Sequence, residues 1–451
     1  MSDPQPTSPP LIGFDPDQSP DPRLIDACVH CGFCLTTCPS YRVIGKETDS
    51  PRGRIYQMDA IHQQQIGLSA TTISHFDSCL GCLACVTACP SGVQYDQLIA
   101  ATRVQIERHY PRPLPEQWLR QTLFSLFPYP ERLRPLLYPI WAYQQWGLQK
   151  WFRQTGILNK LAPQLAAMES ILPPLRKEQL TASVFPEVIP AQGSRRFRVG
   201  MILGCVQRLF APEVNQATVE VLTANGCEVV IPPNQGCCAA LPHHQGQEAQ
   251  AQTLAKAMID HFAPSQASEP LDAILINASG CGHTLKVYGQ LLQEDAEYAT
   301  KAVAFSRQVK DVQEFLAEVG LTTPLFPLKA GILKLVYQDA CHMLHGQKIS
   351  LQPRQLLQQI PQIELREPID AALCCGSSGI YNLLQPEVAE ELGDQKVTHL
   401  VNTGAEVIVS ANIGCRLQIL KHLQRKNQAA IPVLHPMELL QLSMQGKTLV
   451  T

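Results

Sequence analysis

No stretch of this 451-residue chain approaches the ~20 uncharged apolar residues that a membrane-spanning helix needs. The opening MSDPQPTSPPLIGFDPDQSPDP lacks the basic start and apolar run of a secretory signal. Its Pro, Asp and Ser instead predict a flexible arm over residues 1–20. Charge of one sign is missing too: 36 Lys and Arg face 39 Asp and Glu, with no basic run, so there is no footprint for nucleic acid. Neither G-x-G-x-x-G nor a P-loop occurs, which leaves the chain without a nucleotide or flavin fingerprint. Together these absences predict a cytoplasmic protein of two to four domains.

Cysteine is abundant, at 17 residues. Disulfides seldom persist in the cytosol, so clustered thiols read as ligands. Cys28, Cys31, Cys34 and Cys38, followed by Pro39, form C-x2-C-x2-C-x3-C-P. Cys79, Cys82, Cys85 and Cys89, followed by Pro90, repeat it, down to fillers such as CVHCGFCLTTCP and CLGCLACVTACP. Three thiolates on one tight loop can reach three irons of a cubane, and the fourth, which starts a helix, points to the other cluster. That pattern predicts one [4Fe–4S] cluster on Cys28, Cys31, Cys34 and Cys89, and another on Cys79, Cys82, Cys85 and Cys38. Zinc sites usually pair two separated knuckles, and these continuous four-cysteine runs do not look like that.

Between the runs, SPRGRIYQMDAIHQQQ reads as a capped helix, with Ser50 as N-cap and Pro51 first. A helical ferredoxin domain over 21–109 is therefore expected. Arg52 and Arg54 either pair with the anionic clusters and raise their potentials or solvate a helix start. Residues 110–194 follow as a linker rich in proline and aromatics, with all four tryptophans, Trp118, Trp141, Trp146 and Trp151. Three readings apply to it: a dock for a partner subunit, a peripheral contact with a membrane surface, or a packed helical connector.

Beyond Arg195, short β-branched runs alternate with helical stretches, the pattern of α/β layers with parallel strands. The plan occurs twice, over 195–325 and 326–451. Cys205, Cys237, Cys238 and Cys281 in the first half match Cys341, Cys374, Cys375 and Cys415 in the second. The first intervals are 32 and 33 residues, and the last are 43 and 40. Such repetition seldom arises by chance, and strand C-terminal ends are where open α/β sheets bind ligands. Each half could gather four thiolates, or the two could share a site. Cys227 has no counterpart and reads as core. His243, His244, His283, His342 and His345 read as neighbours of the cysteines, and Asp339 as a helix cap.

Two C-x2-C-x2-C-x3-C-P runs, the SPRGR element and the phrases LGC…GCC…ASGCG and CH…CCGSSG…ANIGC resemble the iron–sulfur subunit of glycolate oxidase (glycolate dehydrogenase). The likeness extends over residues 20–440. It implies an electron-transfer subunit with no catalytic residue of its own. FAD-binding partner subunits would oxidise glycolate to glyoxylate, and this chain would relay electrons to a quinone or another acceptor. Lactate or glycerol 3-phosphate dehydrogenase complexes and a heterodisulfide-reductase-like enzyme are the alternatives. Two departures stand out: Ala239 replaces the glycine after the first cysteine pair, and neither repeat ends in C-x-x-C. The second repeat is the better candidate for a further cluster, and the first for zinc, a cluster or nothing.

Overall fold

The computed structural model describes residues 13–157, 169–170, 172–181 and 184–449. Most of the expected N-terminal arm and part of the linker thus lie outside the described residues. The chain divides into two units, Met1–Phe124 with Leu241–Ala251, and Ser125–Ala240 with Gln252–Thr451. Among the described residues no helix is long and apolar enough to cross a membrane.

The described part of the first unit is built from helices, with no strand. Ser50 caps the helix Pro51–His62 by accepting from the Gly53 amide, with Pro51 at its first turn. This helix and Tyr95–His109 supply Ile55, Met58, Ile61, Leu98 and Ile106 to a core around Phe76. Residues 13–20 do not hang free. Asp15 exchanges hydrogen bonds with Gln105 and receives Arg108 at 3.1 Å. Burial opposes its charge, but Gln105, His109 and Arg108 bring its pKa down to about 2. Residues 15–18 of the expected arm are thus tied to the helix Tyr95–His109.

The second unit carries the two α/β repeats. In the first, β1 (Val188–Ile189), β2 (Phe197–Ile202), β3 (Cys227–Val230), β4 (Ala273–Ile276) and β5 (Val309–Asp311) lie in the order β1-β3-β2-β4-β5. All pairs are parallel except β1 with β3. In the second, β6 (Leu333–Gln338), β7 (Ile363–Arg366), β8 (Val407–Ser410) and β9 (Val433–Leu434) form a parallel sheet ordered β7-β6-β8-β9. The central strand order is thus the same in both halves. Strands β2, β4, β6 and β8 are buried almost throughout, as expected of parallel strands covered on both faces.

One apolar core serves both repeats, joining Val199, Val229 and Leu275 to Leu335, Val407 and Val409. Polar ties cross the same boundary. Asn412 donates to the Ser279 hydroxyl at 2.9 Å, and Arg416 bonds both Glu438 and Glu213. From the linker, Leu133 and Leu137 pack against Leu175, Leu180 and Leu209, while Trp118, Trp146 and Trp151 stay at least half exposed.

Candidate iron–sulfur sites

The two four-cysteine loops repeat in backbone as well as in sequence. His30 and Gly32 stand two and four residues after Cys28 with φ of +51° and +88°. Gly81 and Leu83 hold the same places after Cys79, with φ of +62° and +63°. These left-handed turns curl each loop around its thiols. Cys38 is the N-cap of the helix Pro39–Ile44, as expected of a fourth ligand. Cys89 departs from that expectation: it closes the short helix Ala84–Ala88. Pro90 starts a turn there instead.

Cys28, Cys31, Cys34 and Cys89 line one open pocket, together with Arg52, Cys85 and Tyr95. Burial pushes the Cys28 thiol up, and the nearby Cys89 and Cys31 add to this. The other four are buried. Burial pushes the Cys85 thiol well up, and Cys82, Cys79, Cys38 and Cys34 add to this. Cys38 touches the Ser40 hydroxyl, which shares the Arg54 guanidinium with Ser78 beside Cys79. Cys79 differs from the rest. Burial would raise its pKa, but Arg54 and Arg103 bring it below the usual value, helped by the Gly81 amide at 3.4 Å and the Tyr95 hydroxyl at 3.7 Å. Arg103 also donates to the Cys79 carbonyl at 2.5 Å and the His244 carbonyl at 2.7 Å.

In the repeats each cysteine follows the C-terminal end of a strand, and the four thiols of each half touch in series. Cys205 lies 3.3 Å from Cys237, and Cys238 bonds both Cys237 and Cys281. In the second half Cys374 bonds both Cys341 and Cys375, and Cys375 lies 3.1 Å from Cys415. Shared hydrogen bonds hold Cys238 and Cys374 well below the ordinary thiol value. Each quartet has a cation beside it, half-buried in the first repeat and buried in the second. Arg208 reaches the Gly204 and Gly236 carbonyls next to Cys205 and Cys237. Lys396, fully buried, donates to the Ala371 carbonyl at 2.7 Å, and burial lowers its pKa against the pull of Asp339, Cys375, Cys415 and Cys374. A sulfur-only donor set with a buried positive charge suits an anionic thiolate-ligated group. The thiols touch one another, and among the described residues no three His, Cys, Asp or Glu side chains are arranged around a single ion.

Other expected positions fall elsewhere. Cys227 lies fully buried in β3, and burial pushes its thiol up to about 11. Asp339 caps nothing; it forms a paired ion bridge to Arg354 at 2.8 and 2.9 Å. The His283 and His342 rings meet across the repeats at a tilt of 52°, with centroids 5.0 Å apart, and His243 faces Glu248 at 3.4 Å. Arg103, Tyr95, Arg208 and Lys396 had not been singled out from sequence. A signal existed only for Lys396, whose place one residue before Val397 and four after the buried Leu392 puts it on the apolar face of its helix.

Comparison with known proteins bears on all three parts. The model for "4Fe-4S dicluster domain" matches residues 24–93, and that for "Glycolate oxidase iron-sulfur subunit, linker region" matches 115–172. "Cysteine-rich domain" matches twice, at 199–286 and 335–420. The chain is 38% identical over 401 residues to the probable glycolate oxidase iron-sulfur subunit of Bacillus subtilis (strain 168), covering 88% of this chain and 89% of that one. It is 35% identical to the glycolate oxidase iron-sulfur subunit of Escherichia coli (strain K12), covering 88% and 90%. Lactate utilization protein A of Halalkalibacterium halodurans is 29% identical, covering 54% of this chain and 96% of that one.

Proposed function

The chain belongs to the family of glycolate oxidase iron–sulfur subunits, and we propose that it is the electron-transfer subunit of a glycolate-oxidising complex. Oxidising glycolate to glyoxylate removes two electrons and two protons, which is work for a flavin on a partner subunit. This chain then accepts the electrons and delivers them to a quinone or another acceptor. A bound [4Fe–4S] cluster supplies one-electron exchange at a potential tuned by charge, hydrogen bonding and exposure.

Every other part of the reading concerns the chain's own residues. Cys28, Cys31, Cys34 and Cys89 hold one cluster, and Cys79, Cys82, Cys85 and Cys38 hold the second. What supports this crossing is that Cys89 lines a pocket with the first run, while Ser40 beside Cys38 and Ser78 beside Cys79 share the Arg54 guanidinium. Cys341, Cys374, Cys375 and Cys415 hold a further sulfur-ligated group, with Lys396 as its counter-charge. Cys205, Cys237, Cys238 and Cys281 form the equivalent site beside Arg208. The complex works in the cytoplasm, with its linker tryptophans facing a partner or a membrane surface. Lactate in place of glycolate is the second reading, supported by the likeness to lactate utilization proteins.

Anaerobic iron, sulfide and zinc analysis tests the cluster assignment, on the natural chain and on a Cys374→Ser/Cys375→Ser variant. About twelve irons falling to about eight supports a third cluster in the second repeat, and about eight in both confines iron to the first unit. Zinc with well under eight irons sinks the electron-transfer reading. Glycolate-dependent bleaching of the chain's visible absorbance, with a glycolate-oxidising flavin partner added, tests the substrate; bleaching by lactate alone would select the second reading.

A further inference from the structure

Two arginines of the SPRGR element stand near the cysteine runs, and the fold treats them differently. Arg52 lies at the rim of the open pocket, donates to the His30 carbonyl at 3.0 Å and pairs with Glu47 at 2.6 Å. Its charge is therefore offset by a carboxylate and screened by water. Arg54 has no exposed surface. Its guanidinium donates to the His75 carbonyl at 2.5 Å, the Ser40 hydroxyl at 3.0 Å and the Ser78 hydroxyl at 2.8 Å. Ser40 in turn touches the Cys38 sulfur at 3.3 Å, and Ser78 precedes Cys79. The remaining nitrogen, Nη1, is buried without a hydrogen-bond partner among the described residues.

Desolvating an arginine is costly, and a buried charge is retained where an opposite charge faces it. Among the described residues the only carboxylate paired with Arg54 is Asp49, at a loose 3.9 Å. Asp49 is already engaged, receiving the Ser78 hydroxyl at 2.6 Å and facing His75 Nδ1 at 3.0 Å. Arg54 is thus only loosely paired, directly behind Cys38 and Cys79. Burial opposes that charge, but Cys79, Tyr95, Cys38 and Asp49 hold its pKa above the ordinary value. The guanidinium does not lose its proton, so the charge is permanent.

We propose that Arg54 is the built-in counter-charge of the group held by Cys38, Cys79, Cys82 and Cys85, and makes it the easier of the two clusters to reduce. This rests on the two-cluster reading above. Reduction adds one negative charge, which a fixed cation in a dry site stabilises far more than a screened one does. Arg103, also buried and bonded to the Cys79 carbonyl, adds to the same side. Beside Cys28, Cys31, Cys34 and Cys89 the cation is Arg52, which is closely paired with Glu47. Electrons arriving at the open pocket then run downhill to the buried site, and Arg54 acts as a positioning and tuning residue.

The test is an EPR-monitored redox titration of the full chain, with Cys31→Ser used to mark the signal of the exposed cluster. In Arg54→Gln the buried cluster should fall in potential by a tenfold change in its reduction equilibrium or more, about 59 mV for one electron. The exposed cluster should stay where it is, and Arg54→Lys, which keeps the charge, should recover most of the shift. Asp49→Asn, which leaves Arg54 uncompensated, should move the same cluster upward; this variant decides the matter if Arg54→Gln does not fold. Unmoved potentials, or equal shifts of both clusters, would overturn the assignment of Arg54 alone. Absence of clusters from the natural chain would overturn it together with the reading it rests on.

Discussion

Ala239 and Gly376 hold the same place after the cysteine pairs of the two repeats and the same left-handed backbone, with φ of +67° and +83°. The turn that presents each pair to its strand end therefore needs this conformation whichever residue occupies it. Glycine adopts it freely, whereas alanine at this φ costs about 1–2 kcal/mol. The first repeat departs from the second in residue type only.

From this pair we expect opposite outcomes of exchange. A Cβ on Gly376 would come within 2.6 Å of the Ala389 carbonyl oxygen, where backbone must give way. Gly376→Ala should lower stability by about 2 kcal/mol or more, read as a drop in the urea midpoint. Ala239→Gly should leave metal content unchanged and gain up to about 1 kcal/mol, the relief of strain less the added freedom of the unfolded chain. A loss of stability in the second variant would show that the Ala239 methyl matters more than its backbone.

Asp311 and His435 should give the second unit opposing pH slopes. Burial raises the Asp311 carboxyl to about 7, although the Gln313 amide and side chain favour its charged form. It binds a proton in the folded state that the unfolded state has released, so stability falls as pH rises from about 4 to about 7. Burial lowers His435 to about 3, its Nε2 donating to the Asn277 carbonyl and its Nδ1 accepting from the Met437 amide. Its contribution is present above the unfolded value of 6.5 and is lost as pH falls toward 3. Asp311→Asn should remove the first slope and leave the second, so that stability rises between pH 4 and 6.5 more steeply than in the natural chain. The relative gain at pH 8 should approach roughly 4 kcal/mol. Urea melts at four pH values measure it; parallel profiles for the two proteins would refute the burial argument.

Cys227 offers a control for every experiment on the thiols. Its side chain packs in the shared core between β2 and the helix Pro212–Ala224, remote in role from either quartet. Cys227→Ala should cost about 1–2 kcal/mol and change neither iron nor zinc content. Any loss of metal would place this thiol among the ligands.

Arg112 joins three carboxylates of the first unit, bonding Asp77, Glu107 and Glu116 at 2.6–2.8 Å with 7% of its side chain exposed. Arg120 reaches the same three acids at 2.8–3.9 Å, so Arg112→Met should leave three carboxylates to one arginine and destabilise the unit by up to about 3 kcal/mol. Thermal melts of the two proteins read the loss, and an unchanged midpoint would show that Arg120 alone suffices.

Much of this architecture was legible in local sequence. Ser50 and Pro51 start a helix, the β-branched runs at Val199 and Val407 form buried strands, and the cysteine spacings mark two loops and two repeats, because each depends on residues within a few positions of one another. Strands such as Val309–Asp311 and Ile363–Arg366 were not legible, since their short mixed runs become strands only by pairing with β4 and β6. The side chains around the thiols were beyond local reading for the same reason. Asp339 has the residue type of a cap, yet Arg354 on the following helix claims it. Arg52 and Arg54 are two residues apart and alike in every sequence property, but on a helix two positions differ by about 200° and so face opposite environments. One was left in water beside Glu47 and the other sealed behind Cys38 and Cys79. Spacing along the chain determined which residues could be ligands; only the packing of distant segments decided which charges stand next to them.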